Sequence, residues 1–231
     1  PAFGPAMTSH TAFMSKSEHR LLATDRLDFC DARLDFLFTD IDATIADQVR
    51  AFDMLQPLPV WKQKEGRYHL LAGHAYLPVL RLLEVREVFC QVFALHTPPS
   101  ILYPLQIIHG LSTLITSPVL QAILLDQAQQ HLEANELLRL LPLMGHKAQA
   151  YKIDELTAML RLQPAVLRGL HAGTLAIKTV KLLNRLPPDE QQRVIELITR
   201  YRAGGSKQQK LVEMLIELRL RHDQSIQTLL H

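Results

Sequence analysis

Near Pro98 the hydrophobic pattern of this chain changes period, and that change limits what it can fold into. Up to Phe93, short runs with a rough period of two take turns with short helical runs. Beyond Pro98, Leu, Ala, Gln and Glu dominate and the spacing stays helical. An α+β chain is therefore expected, with a small mixed domain first and an all-α domain after it. The boundaries read as a flexible lead-in at 1–19, a mixed domain at 20–98, an apolar connecting segment at 99–117 and an all-α domain at 118–231. At 231 residues one or two domains fit the length.

Within the first part, RLDFCDARLDF (26–36) has a strand-like period. Asp40 or Asp42 could cap a helix through IDATIADQVRAFDML, where Ile41, Ile45, Val49 and Phe52 fall at helical spacing. LPVW then reads as a short strand, and KQKEG supplies turn chemistry ending at Gly66. A second strand, RYHLLA, runs into a turn at Gly73. A helix through YLPVLRLLEV and a strand EVFCQVF follow. In the second part, helices are expected at about 118–131, 133–142, 152–161, 164–171, 174–186, 188–203 and 206–222. Pro188 and Asp189 suit a first helical turn. Gly204 and Gly205 end one helix, and Ser206 can cap the next.

Composition narrows the classes. Cys30 and Cys90 lie far apart with no CxxC or Cys/His metal spacing, which suits reduced thiols better than a disulfide framework or zinc. The stretch PAFGPAMTSHTAFMSKSEHR lacks the basic and apolar regions of a signal peptide, so a cytoplasmic protein is expected. ILYPLQIIHGLSTLITSPVLQAILL (101–125) carries no charge and is long enough to span a membrane. Pro104, Gly110 and Pro118 interrupt it, so two short buried helices are expected, ahead of an exposed partner-binding surface or a membrane span. Net charge is +2 but unevenly placed. Residues 1–138 hold 10 Lys/Arg against 15 Asp/Glu, and residues 139–231 hold 15 against 8. A basic half suits a polyanion such as nucleic acid. Solvated helix faces would look the same.

The order of these pieces resembles the ParB family of chromosome and plasmid partition proteins, which share an N-terminal fold with sulfiredoxin. The matching segments are IADQVRAFDMLQPLPVW, KQKEGRY, HLLAGHAY, LPVLRLLEV and REVFCQVF. Further on, LQPAVLRGLHAGTLAIKTVKLLNRLPPDEQQRVIELI looks like the segment following the family's helix-turn-helix, and GGSKQQKLVEMLIEL like its closing turn and helix. The resemblance implies a ParB/sulfiredoxin-like α/β domain, a helix-turn-helix-like helical domain, DNA as partner and a nucleotide site at the glycine turn.

The residues at that turn depart from the family. Members that bind a cytidine nucleotide carry paired arginines after the glycine, where backbone N–H groups and guanidinium groups hold phosphate. Here the sequence runs Gly73, His74, Ala75, Tyr76. A charge-assisted hydrogen bond contributes roughly 1.5 to 3 kcal/mol, so losing two arginines weakens a triphosphate site on the order of a hundredfold or more. Arg81, Lys62, Lys64 and Arg67 do not take the motif's position, and no cysteine flanks Gly73. The expectation is a vestigial nucleotide site at Gly73, His74, Ala75 and Tyr76. Neither a CTP cofactor nor CTPase, nuclease or sulfiredoxin catalysis is expected, and no metal ligands are assigned.

KIDELTAMLRLQPAVLRGLHAG can be drawn as a helix-turn-helix, with Asp154 to Arg161 first, Leu162 and Gln163 as the turn, and Pro164 to His171 second. Lys152, Arg161, Arg168 and His171 are its DNA-contact candidates. The next helix, TLAIKTVKLLNRL, adds Lys178, Thr179, Lys181, Asn184 and Arg185. The same charges would lie outside any amphipathic helix whose buried stripe is Ala176, Val180 and Leu183. Three functions fit the sequence: a non-catalytic DNA-binding protein, nucleoid-associated if it binds DNA; a protein-interaction or dimerisation scaffold, suggested by the apolar residues 101–125 and by Leu211, Met214, Leu215 and Leu218, which could form a dimer seam or simply pack inside the domain; and a nucleotide-binding or hydrolysing enzyme.

Overall fold

The computed structural model describes residues 17–52 and 56–229. Most of the expected lead-in, and the end of the helix expected through Asp53–Leu55, lie outside these. Strand β1 (Glu18–Ala23) already begins at Glu18 and pairs antiparallel with β5 (Glu87–Phe93), Leu22 opposite Val88. Between them come β2 (Leu27–Phe29), α1 (Ala32–Leu37), α2 (Ala43–Phe52), β3 (Leu58–Lys62), β4 (Tyr68–Leu70) and α3 (Tyr76–Leu82). The sheet order is β1-β5-β3-β4-β2, with β3–β5 and β2–β4 parallel and β3–β4 antiparallel. On one face Leu22, Val60, Leu70, Val88, Cys90 and Val92 pack against Leu77 and Leu80 of α3 and Val49 of α2. On the other, Phe93 and Leu71 meet Leu102 and Leu105.

Local chemistry explains these elements. The β5 side chains alternate inward and outward, Val88 and Cys90 buried, Glu87 and Phe89 exposed, as a half-buried strand requires. Of the two candidate caps for α2, Asp42 is used: its carboxylate accepts the N–H groups of Thr44 and Ile45 at 2.8 and 3.2 Å. The period-two reading of 26–36 holds only for Leu27–Phe29. From Ala32 on the chain is helix α1, because Asp31 accepts the Arg33 N–H at 2.8 Å and grips its guanidinium, capping a turn just where alternation would carry a strand on.

The apolar stretch is corrected too. Two helices do cover it, with the expected break at Pro118, but Pro104 and Gly110 do not interrupt the first: α4 runs unbroken over Pro99–Thr116, and α5 (Pro118–Ala128) follows. Pro104 withholds an N–H only from the Ser100 carbonyl, and Ser100 is exposed, so water can satisfy it. Among the described residues no helix is long and apolar enough to cross a membrane.

The remaining helices are α6 (Ala134–Leu143), α7 (Ala150–Ala158, continued as a 3-10 turn to Arg161), α8 (Pro164–His171), α9 (Ile177–Leu183), α10 (Pro188–Arg200), α11 (Gly205–His222) and α12 (Ile226–Leu229). The fold is thus α+β, a mixed sheet domain and a helical part. By compactness the chain divides into Pro1–Ser112 with Leu124–Ala150, and Thr113–Ile123 with Tyr151–His231. This is not the cut expected from the sequence at 99–117: residues 124–150 group with the sheet rather than with the basic helices.

Candidate functional site: a glycine turn and a basic helical face

Gly73 follows β4 in the turn before α3, with φ +76°, a region L side chains rarely adopt. A Cβ there would lie 2.8 Å from Leu58 Cδ2, so both backbone and space demand glycine. Its carbonyl accepts the Tyr76 N–H at 2.9 Å and starts α3. Aromatic side chains gather beside the turn. The His74 ring lies 5.8 Å from Phe29 and 5.6 Å from Phe38, stacked on the latter. Tyr76 packs against the core cluster, and Ala75 contributes no polar group.

The nearby arginines are engaged elsewhere. Arg67 donates Nε–H to Asp28 at 2.7 Å, pairs with the same carboxylate through its terminal nitrogen, and donates to the Asp25 carbonyl at 2.8 Å. Arg81 donates to the Leu27 carbonyl at 2.9 Å and lies 3.7 Å from Asp28. Both tie β2 to its neighbours. Burial lowers the pKa of His69 despite the adjacent Asp28. Among the described residues no group of three or more His, Cys, Asp or Glu is placed to hold a metal ion.

In the helical unit, α7 and α8 follow one another as the expected helix pair, with the 3-10 turn and Leu162–Gln163 between them. Gly169 lets the chain fold back closely after α8: a Cβ there would lie 2.6 Å from Leu175 Cδ1, and the Gly169 carbonyl accepts the Leu175 N–H at 2.9 Å. Of the nine candidates, Arg161, Arg168, Lys178, Lys181, Asn184 and Arg185 are exposed. Lys178, Lys181 and Arg185 are spaced i, i+3, i+7, which puts them on one face of α9 and its continuation. Lys152 is half-buried and paired with Glu155 at 2.7 Å.

Two candidates must be withdrawn from the contact face. Thr179 is 0% exposed, and its hydroxyl donates to Gln208 Oε1 at 3.1 Å. His171 is half-buried, with Nδ1 2.9 Å from Ser117 Oγ, and burial lowers its pKa, so it presents no cation at neutral pH.

Counting charge by halves hides one property of the sequence. Leu156–Pro188 contains Arg161, Arg168, Lys178, Lys181 and Arg185 and no Asp or Glu at all. Among the described residues no ion pair engages any of the five. The role of Gln208 had no signal in pattern or spacing, because its partners on the α9 side lie 29 to 34 residues away.

No protein-family model matches the chain, and no curated protein matches it. Solved structures similar to it include the C-terminally truncated chromosome-partitioning protein ParB from Caulobacter crescentus complexed to the centromeric parS site (13% identity, TM-score 0.36, covering 84% of this chain and 99% of that one). The same protein complexed with CTP-gamma-S gives 13% identity and TM-score 0.31 over 86% and 99%. A Pnob8-like ParB-N domain gives 15% identity and TM-score 0.39 over 78% and 89%.

Proposed function

We propose that this chain is a non-catalytic protein that binds duplex DNA through phosphate contacts from its helical unit, and that its glycine turn no longer takes a nucleotide. One observation carries the reading: five exposed cations, in no ion pair among the described residues, in a segment from Leu156 to Pro188 without a carboxylate. A solvated amphipathic face ordinarily mixes both signs, whereas this segment carries one. The resemblance to ParB-like proteins points the same way. On α8 only Arg168 combines exposure with a group able to reach a base edge. Binding is therefore dominated by phosphate and weak in sequence preference.

Anisotropy with a labelled duplex across a salt series tests this. Affinity should fall with salt, with a log–log slope of at most about 4.5 for five neutralised phosphates. Replacing Lys178 and Lys181 by Ala should reduce that slope by about 2. Absence of binding at low salt overturns the proposal. For the turn, calorimetry with CTP and magnesium should show no heat, since His74, Ala75 and Tyr76 stand there in place of paired arginines; tight CTP binding would restore the nucleotide-binding reading.

A second reading has its own observation. Ile108, Leu111 and Ile115 are 59, 39 and 56% exposed at i, i+3, i+7 on α4, a helix without any charged residue. Such a stripe suits self-association, since a second copy would bury no charge against it. Light scattering would show a dimer, and Ile108→Glu with Ile115→Glu would make it a monomer.

A further inference from the structure

Helix α9 is only seven residues long and begins after Ala176, whose side chain cannot accept a hydrogen bond. Helices this short are marginal unless their ends are held. The missing acceptor comes from α11. Gln208, 3% exposed, accepts the Ala176 N–H through Oε1 at 3.0 Å and the Thr179 hydroxyl at 3.1 Å. Its Nε2 donates to the Thr174 and Ala203 carbonyls, both at 2.7 Å. Two donors and two acceptor positions are thus all used, which fixes the amide in one orientation. The four partners bracket the entry to α9 (Thr174, Ala176, Thr179) and the entry to α11 (Ala203).

We infer that Gln208 is a positioning residue for DNA binding: it caps α9 from a distance and holds Lys178, Lys181 and Arg185 as one rigid phosphate-contacting row. This rests on the DNA-binding proposal. The side chain touches no phosphate; it acts through the register and orientation of α9. A cation row spread over a frayed helix would meet fewer phosphates at once, so the signature is the number of phosphates neutralised, not stability alone.

The experiment uses the full chain and a labelled duplex, with thermal unfolding recorded on the same samples. Gln208→Met keeps length and removes all four hydrogen bonds; affinity should drop on the order of fivefold to tenfold, and the salt slope by about 1 to 2. Because that variant could fail to fold, Thr179 supplies a gentler pair. Thr179→Ser keeps the hydroxyl that reaches Gln208 and should retain the wild-type slope; Thr179→Val keeps the shape, loses the bond and should lower it. A purely structural role would lower Tm in the variants and leave the slope of the folded protein unchanged, and that result overturns the inference while leaving DNA binding standing. No binding by the wild-type chain overturns both.

Discussion

At the scale of single residues, Gly73 is required by the turn it makes. Its positive φ and its 2.8 Å clearance to Leu58 belong to the fold of the turn, whichever side chains come after it. Gly73→Ala should therefore destabilise the protein by roughly 1 to 3 kcal/mol, from a left-handed alanine and displacement of a buried leucine; urea unfolding would measure it. That the turn exists was legible from the glycine between an apolar strand and an apolar helix. That Phe29 and Phe38 would close on His74 was not, because those residues lie 45 and 36 positions away in sequence, and only the sheet and α1 bring them together. The arginines that sequence could only call misplaced prove to be occupied, both on Asp28.

Among the elements, short-range chemistry decided against periodicity where the two disagreed. Helices α8, α10 and α11 are legible because an apolar repeat in each begins at a proline or glycine, and α8 and α10 start at the expected prolines; the four-residue α12 is not expected, being too short for a repeat. Helix α1 is not, because six residues give too little periodicity to compete with an alternating run, and its existence depends on Asp31. Burial raises the pKa of that carboxyl, but the side-chain and backbone hydrogen bonds from Arg33 outweigh it and leave it below the ordinary value. In the folded chain Asp31 therefore stays ionised to lower pH than in the unfolded chain. The stability it contributes is present above about pH 3.9 and is lost as acid protonates it below. Asp31→Ala should cost about 1 kcal/mol at neutral pH, through loss of the cap, in chemical unfolding. Its partner Arg33 also meets Asp126 at 2.7 Å, so Arg33→Ala should cost a similar amount, and the two losses should be strongly non-additive.

For the molecule as a whole, an uneven charge distribution hides inside a nearly neutral total, and only the finer division, by segments without carboxylates, isolates the face that could meet a polyanion. The histidines show the complementary case, since eleven of them look like a reserve of positive charge and the structure withdraws some. His171 in the helical unit and His69 beside the sheet both have pKa values lowered chiefly by burial. In the unfolded chain they titrate near 6.5. As pH falls below that value the unfolded state takes up protons that the folded state refuses, so stability should be flat above about pH 7 and decline below about pH 6.5. Thermal unfolding between pH 5.5 and 8 would trace this, and His171→Gln should flatten part of the decline. The same substitution separates burial from function. A neutral His171 held by Ser117 contributes no phosphate contact, so His171→Gln should leave the salt slope of DNA binding at neutral pH unchanged. Arg168→Ala, two residues before Leu170 on the same helix but exposed, should lower that slope by about 1. An equal loss of slope from both variants would place His171 back on the contact face and require the α8–Ser117 contact to open when DNA binds.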